Sequence, residues 1–426
     1  MKYAFINGKI LDGNENMKPI DGYDILVDED TISDLAPHVG NYTDRKVIDL
    51  KGAYVCPGLI NMHVHLAGNG KPQKKQRDNA KLVRFIMGSG LTRAVAYKLV
   101  YNFAKEELKS GVTTIRTVGG LGSFDTRLRD EIASGKKIGP RIIAANEGIS
   151  VPGGHMAGSV AISATTVKEA VDYVDNLESE KVDLIKLMIT GGVMDAKEKG
   201  VPGELKMSPE MVKAVCDKAH EKGYKVAAHV ESPEGVKVAL ENGVDSIEHG
   251  AKPTEEIIKL FKDKNAFLCT TLSPALPYAL FDRKITNATE VEQYNGNIVF
   301  NGIIECSKCA IENNIPVVLG NDVGCPWITQ YDFWRELCYF CKYVGVSNSF
   351  ALYTATKRSA DLLGIGDKTG TIEKGKCADF IVSKNNPLDD LTGLRHLEYV
   401  VARGKIYKNP KPKIKKNVER ELDKFL

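Results

Sequence analysis

The sequence of 426 residues lacks any run of 18 apolar residues, so it contains no candidate transmembrane helix. Its first residues, from Met1 to Gly8, lack the apolar region and cleavage site of a secretory signal. The net charge of only +3 argues against nucleic acid as a partner. Nine cysteines, an odd number scattered along the chain, are typical of free thiols in a reducing compartment. We therefore expect a cytoplasmic protein that binds neither membranes nor nucleic acid.

The chain is long enough for one large barrel and a smaller second domain. Short β-rich segments bounded by Gly, Asn and Asp occur at both ends. Between them, strand-like and helix-like stretches alternate, which is typical of parallel βα units. The predicted fold is α/β: a (β/α)8 TIM barrel over residues 58–363, with a small β-sandwich domain formed by residues 1–57 and 364–426. The eight predicted barrel strands are Tyr54–His63, Val112–Val118, Arg141–Ala145, Leu184–Ile189, Lys225–His229, Ser246–His249, Ala266–Thr271 and Val317–Gly320.

An insertion follows the first predicted barrel strand, at about residues 66–105. It begins with a basic run from Lys71 to Arg77 and continues as a mostly helical stretch. Since it follows a barrel strand, we expect it to lie over the mouth of the barrel. The basic run is interpreted either as a solvated loop or as a lid that attracts an anionic substrate.

Two histidines one residue apart end the first predicted strand, in Cys56-Pro57-Gly58-Leu59-Ile60-Asn61-Met62-His63-Val64-His65. Side chains alternate between the two faces of a strand, so His63 and His65 project together. Two imidazoles placed in this way are able to bind one divalent metal ion. The pair alone is equally consistent with a structural role.

Further polar residues lie at other predicted strand ends, where the active sites of barrel enzymes form. His229, His249 and Asp322 each end a strand, and Lys186 interrupts an apolar one. Burial disfavours a charged lysine, so Lys186 is expected to be neutral. A neutral amine reacts with carbon dioxide to give a carbamate, an anion that can bridge two metal ions. A buried salt bridge is the alternative explanation for Lys186.

Three motifs resemble the amidohydrolase superfamily, in the branch with a carboxylated lysine and two metal ions. They are Pro57-Gly58-Leu59-Ile60-Asn61-Met62-His63-Val64-His65, Ile185-Lys186 followed by Thr190-Gly191-Gly192-Val193, and Gly243-Val244-Asp245-Ser246-Ile247-Glu248-His249-Gly250. Within the superfamily, the chain is similar to the imidazolonepropionase-related group, which includes Xaa-Pro dipeptidases (prolidases) and carboxypeptidases. The resemblance covers essentially the whole chain.

The resemblance implies a binuclear hydrolase that cleaves an amide C–N bond of a small substrate, such as a dipeptide or an N-acyl amino acid. A metal-bridging hydroxide would attack, and Asp322 would shuttle its proton to the leaving nitrogen. Zinc is the default metal for such ligands. The sequence leaves the oligomeric state open, a homo-oligomer included. The implied ligands are His63, His65 and Asp322 for the more buried ion, His229 and His249 for the more exposed ion, and N6-carboxylated Lys186 between them.

Two residues are candidates for substrate binding. His155 ends a Gly-Gly-His motif that lines the substrate pocket in the resembled group. Glu231 follows His229 with the same strand parity, so it is a candidate partner for a cationic amine. Its alternative role is that of an acid at a helix N-terminus. Prolidase-like members often carry a tyrosine just after the histidine that ends the fifth barrel strand, here His229. This chain lacks that tyrosine, so Xaa-Pro specificity stays open.

Three other functions are compatible with the residues. The first is hydrolysis of a cyclic or xenobiotic amide. The second is deamination. Deaminases of this superfamily, however, usually lack the lysine found here as Lys186 and carry a glutamate where this chain has Ser232. The third is a non-catalytic scaffold, which is disfavoured because all six ligand positions are retained.

Overall fold

The computed structural model describes residues 1–73 and 78–426. Residues 74–77, which belong to the predicted basic loop or lid, lie outside the described residues. The chain divides into two compact units. The terminal unit comprises Met1–Asn61, Ala104–Ile115 and Gln330–Leu426, and the central unit comprises Met62–Phe103 and Arg116–Thr329.

The elements are numbered in chain order. The strands are β1 (Lys2–Ile6), β2 (Lys9–Ile10), β3 (Tyr23–Asp28), β4 (Thr31–Pro37), β5 (Lys46–Asp49), β6 (Tyr54–Pro57), β7 (Leu59–Val64), β8 (Val112–Thr117), β9 (Arg141–Ala144), β10 (Gly148–Ser150), β11 (Ala161–Ser163), β12 (Leu184–Met188), β13 (Lys225–Val230), β14 (Ser246–His249), β15 (Phe267–Thr270), β16 (Val317–Leu319), β17 (Phe380–Ser383), β18 (Leu397–Ala402) and β19 (Lys405–Lys408). The α-helices are α1 (Asn79–Met87), α2 (Gly90–Lys109), α3 (Phe124–Ala133), α4 (Val167–Ser179), α5 (Pro209–Glu221), α6 (Pro233–Glu241), α7 (Glu255–Lys264), α8 (Leu272–Leu280), α9 (Arg283–Thr286), α10 (Glu290–Glu312), α11 (Phe333–Tyr339), α12 (Asn348–Thr354), α13 (Lys357–Leu362) and α14 (Lys416–Leu422).

The terminal unit contains two sheets, in the orders β4-β3-β1-β5 and β19-β18-β17-β6-β2. The second sheet joins the two ends of the chain, because β6 pairs antiparallel with β17. Phe5 of the first sheet meets Phe380 of the second edge to face, with ring centroids 5.0 Å apart. Both rings belong to one buried apolar cluster that also includes Ile25 and Val55. The β-rich segments at the two ends of the sequence therefore share one core.

The central unit is built on a parallel seven-stranded sheet in the order β11-β10-β12-β13-β14-β15-β16. A second sheet has the order β7-β8-β9. The strands that carry the site residues are buried along almost their whole length, which is typical of parallel strands covered on both faces. Helices α5, α6 and α7 follow these strands, and each begins with a side-chain cap, from Ser208, Ser232 and Thr254 respectively.

The predicted first barrel strand, Tyr54–His63, is wrong as a single element. It consists of two strands, β6 and β7, separated by Gly58. An added Cβ at Gly58 would lie 2.2 Å from Oγ1 of Thr113, so only glycine fits there. β6 belongs to the sheet of the terminal unit, whereas β7 pairs in the sheet that contains β8. A nearly continuous run of apolar residues extends through both strands, which is why the sequence pattern does not reveal the break.

Two helices, α1 and α2, form most of the predicted insertion. Tyr97 of α2 donates its hydroxyl to Oε2 of Glu131 in α3, at 2.7 Å. The ring of Tyr97 also lies below the guanidinium of Arg127 and the ammonium of Lys137, at 4.0 and 4.3 Å. These contacts hold Tyr97 of α2 against α3 and the segment that follows α3. Within the described ranges, no helix is both long and apolar enough to cross a bilayer.

Candidate metal centre

The site begins where β7 and β16 end. His63 lies in β7 and His65 follows it, and the Nε2 atoms of the two rings lie 3.5 and 3.2 Å from Oδ1 of Asp322. Asp322 follows β16 with a φ of +55°, and its backbone N–H donates to the carbonyl of His63 at 3.0 Å. This backbone hydrogen bond joins the end of β16 to the end of β7. It therefore places the carboxylate of Asp322 beside both imidazoles.

The second ring nitrogen of His63 is held by a buried charge pair. Nδ1 of His63 donates to Oε2 of Glu248 at 2.7 Å. Arg116 donates from Nη2 to both oxygens of the same carboxylate, at 2.6 and 2.8 Å, and from Nε to the carbonyl of Met62. Both charged side chains are almost fully buried. Because Glu248 accepts the Nδ1 proton, Nε2 of His63 is the unprotonated ring nitrogen, as a metal ligand requires.

His65 and His249 are oriented in a similar way. Nδ1 of His65 donates to the carbonyl of Gly119 at 3.0 Å, and Nδ1 of His249 lies 2.7 Å from Oγ1 of Thr271. Nε2 of His249 is buried and has no hydrogen-bond partner among residues 1–73 and 78–426. The Nε2 atoms of the two rings are therefore available as ligands.

His229 presents the opposite nitrogen. Its Nε2 donates to the carbonyl of Gly191 at 3.3 Å, which leaves the lone pair of Nδ1 available. The ring lies 4.7 Å from that of His249 between centroids. It also stacks on the ring of His155, with centroids 4.0 Å apart and planes 3° apart. The loop histidine His155 therefore lies directly against a predicted metal ligand.

Lys186 lies in the middle of β12 and is completely buried. Its Nζ has no hydrogen-bond partner in the described part of the chain, so no direct hydrogen bond supports the alternative of a buried salt bridge. Burial lowers the pKa of Lys186 to about 8, with the Arg116 guanidinium acting in the same direction. The amine is thus unusually easy to deprotonate, and its neutral form is the one that reacts with carbon dioxide.

The two candidate substrate-binding residues, His155 and Glu231, lie near Asp195, a residue that the sequence did not predict. Nδ1 of His155 lies 2.5 Å from Oδ2 of Asp195, and Oε2 of Glu231 accepts the backbone N–H of Val193 at 3.0 Å. Burial raises the pKa of Glu231 to about 8. Gly192 permits this packing, since a Cβ there would lie 3.1 Å from the ring of His155.

Three sets of potential ligand atoms converge within 4.8 Å among the described residues. Two of them consist of predicted site residues: those of His63, His249 and Asp322, and those of His229, Glu231 and His249. Burial lowers the pKa of His63 to about 4, so this imidazole is neutral, as a metal ligand requires. Nitrogen and carboxylate donors of this kind suit zinc or a similar divalent ion. The buried donors without partners, Nε2 of His249 and Nζ of Lys186, also fit a bound ion.

Three contributors escaped the sequence reasoning: Arg116, Glu248 and Asp195. Arg116 is a buried cation within β8, and its partner Glu248 lies 132 residues later. The pattern of histidines at strand ends selects His249 and not Glu248, the residue before it, although both side chains lie against the ring of His63. A single charged residue within a strand otherwise made of valine, isoleucine and threonine is the signal that could have identified the pair.

Comparison with known proteins agrees with the geometry. The model described as "Amidohydrolase family" matches residues 54–407. A candidate prolidase from Bifidobacterium longum, solved by crystallography, is 34% identical, with 99% of this chain and 98% of that chain covered at a TM-score of 0.87. A Xaa-Pro dipeptidase crystallised with methionine in its active site is 29% identical, over 96% and 100% of the two chains, with a TM-score of 0.83.

A more distant relative is the ochratoxinase of Aspergillus niger. It is 23% identical over 384 residues, which span 83% of this chain and 75% of the relative. Similar proteins of this family have the TIM-barrel fold, and divalent metal ions are general among them. The match over most of the chain confirms the superfamily that the sequence motifs predict. The chain belongs to the amidohydrolase family and is a hydrolase that acts on carbon–nitrogen bonds.

Proposed function

We propose that this amidohydrolase cleaves the amide bond of a dipeptide or an N-acyl amino acid with two bound divalent metal ions, zinc by default. The observation that carries the proposal is Lys186, whose buried Nζ lacks a hydrogen-bond partner within the described residues. Its charge would affect the pKa values of three surrounding histidines, so it is near all of them. The proposed ligands are His63, His65 and Asp322 for one ion, His229 and His249 for the other, and Lys186 as a carbamate between them.

When bound, the metal ions lower the pKa of a coordinated water from about 15.7 to roughly 7 and polarise the substrate carbonyl. The carboxylate of Asp322 accepts a proton from the attacking water and delivers it to the leaving nitrogen. Asp322 is suited to this role because its oxygen lies between the rings of His63 and His65. Glu248 and Arg116 keep the ring of His63 in one orientation and one tautomer during this transfer.

His155 and Glu231 are proposed to bind the substrate beside the second ion. Asp195 fixes the ring of His155 through Nδ1, so the other ring nitrogen is free to contact a substrate carbonyl or carboxylate. Glu231 offers a carboxylate to a cationic amine of the substrate. Its position near the imidazoles of His229 and His249 also permits a second role, as a ligand of the more exposed ion. Similarity to the Xaa-Pro dipeptidase supports a substrate of dipeptide size.

A second candidate substrate is a cyclic or xenobiotic amide. It is favoured by the similarity to a relative named for ochratoxin. The dipeptide remains our first choice because the solved structures with higher identity include a Xaa-Pro dipeptidase.

We further propose that the strands of the central sheets close into an eight-stranded barrel. Three backbone hydrogen bonds support closure: Asp322 N–H to His63 carbonyl at 3.0 Å, His65 N–H to Val323 carbonyl at 2.9 Å, and Asp183 N–H to Ala144 carbonyl at 2.7 Å. The first two join the ends of β16 and β7, and the third joins the ends of β9 and β12. The β-sandwich description and the domain boundaries, 1–57 with 364–426 and 58–363, remain predictions.

A substrate screen tests the function. Protein expressed with bicarbonate and loaded with zinc or manganese is assayed on dipeptides, N-acyl amino acids and cyclic amides. We expect hydrolysis of an open-chain amide, and Asp322→Asn should reduce kcat by at least about 100-fold. Asp367→Asn, at an exposed position, is the matched control. Full activity of Asp322→Asn, or activity on cyclic amides only, would contradict the proposal.

A further inference from the structure

A cavity of about 300 Å³ opens beside the candidate metal centre within the central unit. His65 forms part of its wall, and so does Cys325, whose thiol hydrogen-bonds with Asp322. Because His65 belongs both to the cavity wall and to the proposed metal site, the cavity adjoins the place where the amide bond would be cleaved.

Helix α1 of the insertion covers this cavity. Val83 and Ile86 line it, and they lie three residues apart, on one face of the helix. Phe85 lies on a different face, with 71% of its surface exposed. The helix therefore has an inner face directed at the cavity and an outer face in solvent.

The two ends of α1 rest on loops of the central unit. A Cβ added to Gly158 would lie 3.3 Å from Cβ of Ala80, and one added to Gly122 would lie 3.3 Å from Cε of Met87. Both glycines have positive φ values, +71° and +49°, which L side chains rarely adopt. Gly158 lies in the loop that also carries His155. The position of the helix over the cavity is thus set by close contact with the site's own loops.

Most side chains that line the cavity are apolar. Leu121, Met156 and Val160 face it from the loops, opposite Val83 and Ile86 of the helix. A volume near 300 Å³ is at the lower end of the range for small-molecule pockets, which is about 300–1,000 Å³. This space fits one bulky side chain or acyl group rather than a whole large ligand.

We propose that the cavity is a subsite for a bulky apolar group, aromatic or branched aliphatic, attached to one side of the scissile amide, and that Val83 and Ile86 limit its size. The proposal rests on the proposed amide hydrolysis and adds the substrate class that the cavity selects. Burial of such a side chain contributes about 1.5–3 kcal/mol, which corresponds to about 10- to 150-fold in kcat/KM.

Two substrate series test the proposal, because the group that enters the cavity is attached to either the acyl side or the nitrogen side of the amide. In the first, the acyl group is acetyl, isovaleryl or 3-phenylpropionyl on a constant amino acid. In the second, acetyl is constant and the amino acid is alanine, leucine or phenylalanine. We expect kcat/KM to rise about 10-fold or more with the size of the apolar group in one series.

Three variants test whether the dependence of kcat/KM on substrate size arises in the cavity. Ile86→Trp fills the cavity and should lower kcat/KM for the bulky substrate about 10-fold or more, with a smaller loss for the smallest substrate. Ile86→Ala should move the optimum towards larger groups. Phe85→Trp, on the outer face of the same helix, is the matched control and should leave both series unchanged. Equal effects of Ile86→Trp on small and bulky substrates would overturn the proposal.

Binding separates this inference from the proposed function. Calorimetric titration of the metal-loaded protein with 3-phenylpropionate, and with propionate as reference, requires no turnover. If no amide is hydrolysed but 3-phenylpropionate binds about 10-fold more tightly and Ile86→Trp removes the difference, the subsite stands and the proposed reaction fails. If amides are hydrolysed without any preference for apolar groups, the subsite fails and the reaction stands.

Discussion

The carboxylate of Glu248 lies 2.7 Å from Nδ1 of His63 and is held from the other side by the guanidinium of Arg116. All three side chains are buried. The arrangement makes His63 the end of a chain of charge-assisted hydrogen bonds that runs from β8 through β14 to β7. Its consequence is that the proposed metal site depends on two residues that do not bind the metal ion.

We predict that Glu248→Gln weakens metal binding by about 10- to 100-fold, because the ring of His63 loses the acceptor that fixes its tautomer. Arg116→Lys should give a smaller loss, since the charge remains but the bidentate contact does not. Competition with a chromogenic chelator measures the affinity, and Glu255→Gln at an exposed position serves as control. Unchanged affinity in a folded Glu248→Gln protein would remove the proposed role of the pair.

Lys186→Ala is predicted to lower kcat by at least about 1,000-fold, because an anionic bridge between two ions is lost. Acetate or propionate added to this variant should partly restore activity, since a small carboxylate can occupy the space that the carbamate leaves. Lys168→Ala, on the surface, is the control. Wild-type protein labelled with ¹³C-bicarbonate should show a carbamate carbon by NMR. A wild-type spectrum without that signal in active protein would contradict the carbamate.

Glu231→Gln is predicted to raise KM for substrates with a free cationic amine by about 10-fold, with little change for substrates whose amine is acylated. The carboxyl group lies in the site beside His229 and His249. Burial raises its pKa to about 8, and a cationic amine bound next to it would favour the carboxylate form. Measurements of KM on a dipeptide and on its N-acetyl derivative distinguish binding of the substrate amine from a role as a metal ligand. An equal loss on both substrates, together with a lower metal content, would instead assign Glu231 to the more exposed ion.

The contact between α2 and α3 should make stability depend on pH. Burial acts to raise the pKa of Glu131, but hydrogen bonds from Tyr97, Lys137 and Arg127 outweigh it and lower the pKa to about 2. A carboxyl with a depressed folded-state pKa stabilises the protein above its unfolded pKa, and this contribution is lost as the pH falls from about 4.5 towards 2.

Glu131→Gln should therefore destabilise the protein by about 1 kcal/mol at pH 7, a value reduced for partial exposure, and by much less near pH 3. Thermal unfolding of both proteins across this pH range measures the difference. The exposed substitution Glu312→Gln controls for the loss of one negative charge. A difference that stays constant from pH 7 to pH 3 would contradict the assignment.

Much of the site could be predicted because strand geometry is local. The i, i+2 spacing of His63 and His65 requires only a strand, and the strand ends of parallel βα units meet at one edge of a sheet. The structure brings His229, His249 and Asp322 to this edge, as that argument expects. Their roles as ligands stay predictions until a metal is measured.

Other features depend on contacts that sequence periodicity does not encode. Arg116 and Glu248 become partners only when β8 and β14 are folded together. The break at Gly58 depends on the side chain of Thr113, 55 residues later. The place of α1 over the cavity depends on Gly122 and Gly158 in two separate loops. In each case the residue that determines the local structure is distant in the sequence and comes into contact only through the packing of the folded chain.

The most direct test of the two-metal proposal is elemental analysis of active protein purified without added chelator after expression with bicarbonate. The account predicts about two divalent ions per chain, with activity proportional to their content and lost on chelation. Full amide hydrolase activity in protein that contains one ion or none would contradict it.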